Sequence, residues 1–323
     1  MRRNLILLGG TIILATLSSC NQNKVYSKTL FYLDTYVDVS ITCNDKSHLS
    51  KIEEIYKEVN IVADNFESHN GKSVYDLNQN RELEVSDTLK ALINYSIELT
   101  EKTSGYYNPL IGRLANKWKE SIKNNEVLDS SIISEELDIM NNSSIIVDGN
   151  IIKLIGDADL DLGGIAKGYA TELVHKYLID NNIEEYLINS GESNILVGKR
   201  NNGYKVGLSK PFVDTNNTKE LYEALKMTDK SIATSSPAHQ SFELDGVLYH
   251  HIISPFSGMP VNNFASVNVI CDNSMYADAY STAIFVMDLD TAKKFADDNN
   301  IDVILCDKNE IIYQKLGEEI EKV

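Results

Sequence analysis

The chain has 323 residues, of which 43% are hydrophobic, and a formal net charge of −17. That length permits one large or two modest domains with a sizeable core. Such acidity argues against nucleic acid and against electrostatic adhesion to anionic lipid, and an anionic ligand would need local lysines or a metal ion.

Residues 1–20 read as a leader outside the fold. Arg2 and Arg3 give a positive start, Leu5 to Leu17 is apolar, and Leu17-Ser18-Ser19-Cys20 places small residues just before a cysteine. This resembles a bacterial lipoprotein signal, which implies cleavage before Cys20 and lipidation of its thiol. Residues 20–30 would then be a tether, and a domain over 31–323 would sit lipid-anchored on the extracytoplasmic face of the cell membrane. A plain secretory signal and a short membrane anchor are the alternatives, although the apolar run is short for a spanning helix. Loss of residues 1–19 removes Arg2 and Arg3 and no acid, so the charge falls from −17 to −19. Cys43, Cys271 and Cys306 lie far apart in apolar runs without a C-x-x-C, which predicts buried free thiols.

Residues 30–42, with Phe31, Leu33, Tyr36, Val37, Val39 and Ile41, read as one strand. Lys51–Phe66 places Ile52, Ile55, Tyr56, Val59, Val62 and Phe66 on one helical stripe. Ser86-Asp87-Thr88 opens a second helix that reaches about Thr103, and Ser104 to Pro109 breaks it. Trp118, the only tryptophan, reads as packing within the next helix. The polar stretch 121–144 reads as a peripheral insertion. Residues 151–155 form a strand, Ile183–Leu196 and Tyr204–Leu208 further strands, and Lys210–Glu220 an exposed loop. The fold class is α+β, with long helices over largely antiparallel sheets.

Three stretches carry chemistry. In Asp161-Leu162-Gly163-Gly164-Ile165-Ala166-Lys167-Gly168-Tyr169-Ala170, paired glycines lie between a strand and a helix. They permit a tight turn and close approach of a ligand to the free N–H groups of the helix start. Lys167 opposes the helix dipole and so has no evident stabilising role, which makes it a phosphate partner; an ordinary surface lysine is the alternative. The second stretch, His250-His251-Ile252-Ile253-Ser254-Pro255-Phe256-Ser257-Gly258-Met259-Pro260, ends an apolar run in a turn that can aim an imidazole into a cleft. In the third, Ala277-Asp278-Ala279-Tyr280-Ser281-Thr282-Ala283, Asp278 and Thr282 are one helical turn apart. Their oxygens suit Mg²⁺, which takes few protein ligands beside water and phosphate. A helix-start aspartate and a threonine bonded to its own backbone are the structural alternative.

In this order, these stretches together with Ala233-Thr234-Ser235 closely resemble the FAD:protein FMN transferase (ApbE) family, from about Leu33-Asp34-Thr35 to near the C-terminus. Gly105 to Pro109, including Asn108, resembles a further family element, as does Gly203 to Gly207. The resemblance implies a two-part, T-fold-like architecture with a flavin cleft. It also implies an Mg²⁺-using enzyme that cleaves FAD, moves FMN onto a Thr or Ser hydroxyl of a target protein and releases AMP. By position, the metal ligands would be the carbonyl of Ala166 and the side chains of Asp278 and Thr282. His251 would be the catalytic histidine, aided by Lys167. Thr35, Asn108, Gly163, Gly164, Lys167, Thr234, Ser235, His251 and Ile253 would line the FAD site. Asp161 would orient the glycine pair rather than touch metal. Ser254 stands where the family has Asp, Ser190 where it has Gly, and Tyr107-Asn108 where it has Phe-Asp. Loss of the charge beside His251 bears on the transfer rate. Two other readings stay open: an FAD pyrophosphatase that yields FMN and AMP, and a non-catalytic flavin-binding lipoprotein. The acceptors that the family suggests are flavin-carrying subunits of membrane redox complexes, such as Na⁺-pumping reductases.

Overall fold

The computed structural model describes residues 23–215, 218–238 and 240–323. The leader and Cys20 lie outside them. In chain order the elements begin with β1 (Lys24–Tyr32), β2 (Thr35–Cys43), α1 (His48–Ala63), α2 (Val74–Asn80), β3 (Glu82–Glu84) and α3 (Asp87–Lys102). Then come α4 (Gly112–Asn124), α5 (Ser130–Asn141), β4 (Ser144–Asp148), β5 (Ile151–Ile155) and α6 (Gly163–Asp180). Six strands follow: β6 (Tyr186–Ser190), β7 (Asn194–Val197), β8 (Tyr204–Thr215), β9 (Thr218–Met227), β10 (Lys230–Ser235) and β11 (Ser241–Leu244). The chain ends with β12 (Val247–His250), β13 (Ser266–Cys271), α7 (Ser274–Phe285), α8 (Leu289–Asp298), β14 (Asp302–Cys306), β15 (Ile311–Lys315) and β16 (Glu321–Lys322).

Every pairing is antiparallel, and the fold is α+β. The main sheet runs β1-β2-β6-β7-β10-β13-β14-β15. Its central strands are buried on both faces because successive side chains alternate between two layers. Ala233, Val267, Val269, Val303 and Leu305 face the main core, which also takes in α1, α3, α6 and α7. Ile232, Ile270, Ile304 and Cys306 face a second cluster with Val206, Leu208 and Leu225 from the small sheet β16-β9-β8. The largely apolar stretch Val267 to Ile270, interrupted only by the buried Asn268, thus belongs to a strand sandwiched between helices and a second sheet. A third, smaller cluster joins Leu114 and Trp118 of α4 to Ile133 of α5 and Ile253.

Three expectations change. Residues 30–42 are a hairpin, not one strand: Leu33 and Asp34 both take positive φ (54° and 58°), the geometry of a tight two-residue turn. No Gly or Asn marks it, and the Leu33 N–H is held instead by Asn60 Oδ1 at 2.7 Å. The tether assigned to 20–30 overlaps β1, which begins at Lys24. Lys210–Glu220 is mostly strand rather than loop, since β8 runs to Thr215 and β9 starts at Thr218. Register shifts at Leu208/Ser209 and before Asp214 break the alternation that would have revealed it.

The thiols of Cys43 and Cys306 are buried and free, and Cys271 is free and half-buried. The stretch 121–144 carries α5, whose Ile133, Glu136 and Met140 are buried. Glu136 is clamped by Arg113 through Nε at 2.7 Å and Nη2 at 3.0 Å. Burial pushes its carboxyl up, but Arg113 and Lys117 outweigh that and hold it below the usual range.

Candidate active site

The site forms where the start of α6 meets α7. The paired glycines are not a turn ahead of the helix, as expected, but its first two residues; the strand β5 ends well before them. The turn role falls to Asp161, whose Oδ1 accepts the Gly163 N–H at 2.7 Å. Leu162 O accepts from Ile165 at 3.1 Å and Ala166 at 2.9 Å. The anion site expected at this helix start therefore narrows to the Gly164 N–H, which has no protein acceptor among the described residues.

Glycine here serves close approach. A Cβ on Gly164 would lie 3.3 Å from Tyr107 Cε2 and 3.5 Å from Thr282 Oγ1. One turn on, a Cβ on Gly168 would lie 2.6 Å from Asp278 Cβ and 2.9 Å from Met275 Cα. The absence of both side chains lets α6 touch α7, and the Gly168 N–H donates to Asp278 Oδ2 at 2.8 Å. Gly168 belongs to the same motif, yet it was not singled out in the sequence. Its i, i+4 spacing from Gly164 was the available signal.

Asp278 is 5% exposed, and the Gly168 N–H is the one hydrogen bond to its carboxylate among the described residues. Burial pushes its pKa up, against the pull of Lys167 and that N–H. The Lys167 ammonium has no ion pair of its own among the described residues. Tyr107 is buried, and its hydroxyl pKa is raised by desolvation, with Asp161 and Asp278 adding to the effect. No group of three or more His, Cys, Asp and Glu suited to a metal occurs among the described residues. The seam instead offers one buried carboxylate and the Thr282 hydroxyl, to which the family resemblance would add the Ala166 carbonyl. An oxygen set of that kind fits Mg²⁺ completed by phosphate and water, and does not fit a zinc-type centre.

The other expected residues are placed as follows. Thr282 Oγ1 donates to the Asp278 carbonyl at 3.3 Å, and Ser281 Oγ lies 2.9 Å from Ser235 Oγ, tying β10 to α7. Thr234, the next residue of the strand, turns to the opposite face, where its hydroxyl meets Asn268 Oδ1 at 2.8 Å. It does not join the seam side chains. Thr35 opens β2 and packs on Gly191, whose φ is +66°. Asn108 Oδ1 accepts from the Leu110 N–H at 3.0 Å, a capping role that the family's Asp would also fill. Ile253 is buried in the small cluster with Trp118.

The two adjacent histidines differ sharply. His250 is fully buried, edge-on to Phe285 of α7 with ring centroids 5.7 Å apart, and desolvation pushes its pKa down to about 4. It is a neutral packing residue. His251 is half-buried, with its N–H on Gln240 O at 3.2 Å and Nδ1 3.5 Å from the same carbonyl. After it, the Ser254 hydroxyl accepts from Phe256 N–H at 3.3 Å and Ser257 N–H at 3.5 Å. The serine therefore closes the turn that an aspartate would close. Phe256 packs on Tyr106 with centroids 4.8 Å apart, which joins this turn to the segment that abuts Gly164.

The class of molecule defined so far is an α+β protein whose two touching helix segments present oxygens and, among the described residues, a free N–H and an unpaired lysine, a set suited to a phosphate-bearing ligand. A family model described as the ApbE family matches residues 33–305, and the chain belongs to that family. A relative from Vibrio cholerae, described as an FAD:protein FMN transferase, is 28% identical over 85% of this chain and 84% of its own length. One from Klebsiella pneumoniae with the same description is 27% identical over 90% of this chain and 91% of its own. Among solved structures, the ApbE protein of Thermotoga maritima superposes with a TM-score of 0.79 at 24% identity, covering 91% of this chain and 97% of that one. The flavin transferase ApbE of Vibrio cholerae gives 0.75 at 23% identity, covering 92% and 98%.

Proposed function

We infer that this protein is an Mg²⁺-dependent FAD:protein FMN transferase that moves FMN onto a Thr or Ser hydroxyl of an acceptor protein and releases AMP. The observation that carries the reading is the bond from the Gly168 N–H to Asp278. It joins a glycine-rich helix start to a buried carboxylate that has no other hydrogen-bond donor among the described residues.

Asp278, Thr282 and the carbonyl of Ala166 would hold the metal. Magnesium, when bound, neutralises charge on the pyrophosphate and on the departing AMP. The chain's own groups do the rest. The Gly164 N–H and Lys167 take phosphate oxygens and set the FMN phosphorus in line with the incoming hydroxyl. His251 accepts the proton of that hydroxyl as its oxygen bonds to the FMN phosphorus and the phosphorus–oxygen bond to AMP breaks. Ser254 keeps the backbone bonds that close the turn after His251, which supports the catalytic reading over a non-catalytic binder.

Incubation with FAD, Mg²⁺ and a candidate flavin-carrying subunit of a membrane redox complex tests the reading. A mass gain of one FMN on the acceptor is expected. AMP release without acceptor modification would make the protein a pyrophosphatase, and intact FAD would make it a binder.

Lipidation at Cys20 is part of the same reading. Asn21, Gln22 and Asn23 alone would separate the anchored residue from β1, so the main sheet's edge would lie close to the membrane. Cys20→Ser should release the protein from membranes in a fractionation experiment; unchanged membrane association would refute the anchor.

A further inference from the structure

Beside the His251 turn lies a groove of about 280 Å³ that the reaction above does not use. Its walls are Lys119, Ile122 and Lys123 of α4 and, opposite them, Gln240 and Ser241 at the start of β11. The spacing i, i+3, i+4 puts the three α4 residues on one helix face. Gln240 supplies the carbonyl that receives the His251 N–H, so the groove begins at the backbone partner of that histidine. Ser241 pairs directly with His250 across the β11–β12 hairpin, a sheet of two strands.

The charge of this groove runs against the rest of the molecule. The chain carries 47 acidic and 30 basic residues. Lys117 on the same helix is paired with Glu136, as many other lysines are paired with carboxylates, among them Lys102 with Glu98 and Lys28 with Glu53. Lys119 and Lys123 form no salt bridge among the described residues. Lys119 is held instead over the Phe66 ring, with its ammonium 4.1 Å from the centroid. A cation on an aromatic face keeps its charge and its remaining donors available. Two uncompensated positive charges about one helical turn apart, on a strongly acidic protein, suit an anionic partner that must approach a negative surface.

We propose that the Lys119–Lys123 groove docks an acidic segment of the acceptor protein, beside the residue that receives FMN. This rests on the transferase reading and specifies its protein substrate: Asp or Glu side chains near the modified Thr or Ser meet the two lysines, and an apolar residue rests on Ile122. The groove adjoins His251 rather than the α6–α7 seam, so it serves the incoming hydroxyl and not the dinucleotide.

The test compares two synthetic peptides that each contain a single threonine, one flanked by Asp and Glu and the other by Asn and Gln at the same positions. Binding is measured by fluorescence anisotropy, alongside FMN transfer and the KM for FAD. The wild-type protein should bind the acidic peptide about five- to tenfold more tightly at low salt, with the preference fading as ionic strength rises. Lys119→Glu/Lys123→Glu should abolish that preference with the KM for FAD unchanged, and Lys119→Arg/Lys123→Arg should retain it. Equal binding of the two peptides, or none of either, overturns the proposal while leaving the transferase reading intact. So does a rise in the KM for FAD in the glutamate variant, since the groove would then serve the dinucleotide. A wild-type protein that releases AMP but modifies no acceptor protein defeats the transferase reading itself.

Discussion

The two halves of the site are built to different standards. The α6–α7 seam is embedded in the main core: Ile165, Ala166, Ala170 and Ala277 are at most 3% exposed, and Gly168 and Asp278 leave no room for an extra carbon. The His251 half rests on a satellite core of four buried residues and on turns of the 254–260 segment. A close-packed interior resists displacement, whereas a small cluster under a loop opens at low cost. The contrast matches the proposed chemistry. Phosphate and metal require fixed geometry, while a protein acceptor must be admitted and released.

The strongest way to break this comparison is to empty the seam of its charge. Asp278→Ala should lower Mg²⁺-dependent turnover by about a thousandfold or more, since a metal contributes several kcal/mol to such a transition state. Turnover equal to wild type would remove the metal site. Asp278→Asn sharpens the point, because burial raises the pKa of this carboxyl and its ionised form therefore costs stability at neutral pH. The asparagine variant should be inactive yet melt no lower than the wild-type protein without metal, the trade of stability for function expected at a catalytic carboxylate. A large drop in Tm would mean that the charge is structural.

Next comes the backbone contact itself. Gly168→Ala drives a methyl into Asp278 Cβ, Met275 Cα and the Ser274 carbonyl, all of them held by α7. The helices must separate, so a loss of at least about 3 kcal/mol of stability is expected, with FAD binding lost in parallel. A variant with wild-type Tm would show that the seam is loose and would erase the distinction between the two halves.

How much of this was legible in the sequence depended on whether the determining contact was local. Ser86 and Asn273 announce their helices because a cap is a matter of neighbouring residues. The seam was legible through its motif, but its cause was not: Gly168 matters only because α7 arrives there from 110 positions away. The β1–β2 turn stayed hidden because Leu33, with positive φ, is no turn residue and its N–H is held by Asn60 on another element. The resemblance puts Thr234 and Ser235 together at the FAD site, but strand alternation sends the two side chains to opposite faces, which a motif does not reveal. The resemblance singled out His251, but the packing role of His250 could not be read without knowing which ring lies against Phe285.

His250 supplies the link between the halves, and its protonation probes it. Its folded pKa of about 4 lies below the ordinary value of 6.5, so the unfolded chain binds the extra proton between those limits. The stabilisation is present in full above pH 6.5 and is lost as pH falls towards 4, by up to about 3 kcal/mol. His250→Gln should flatten that part of the stability–pH curve relative to wild type, measured by urea unfolding at pH 7 and pH 4.5. Parallel curves would mean that the ring is hydrated and the junction open.

The smallest expected change is the most selective one. The Trp118 indole N–H donates to the Gly258 carbonyl at 2.8 Å, and both groups are buried. Trp118→Phe keeps most of the apolar packing but leaves that carbonyl without its donor, at a cost of about 1–2 kcal/mol. The cost falls on the satellite core alone, since Gly258 packs on Ile133 and Leu137 and not on α7. FMN transfer to an acceptor should therefore slow severalfold while FAD affinity and Mg²⁺ dependence stay at wild-type values. Equal losses in both would show that the satellite core and the seam move as one body, and the separation of the phosphate half from the acceptor half would fail.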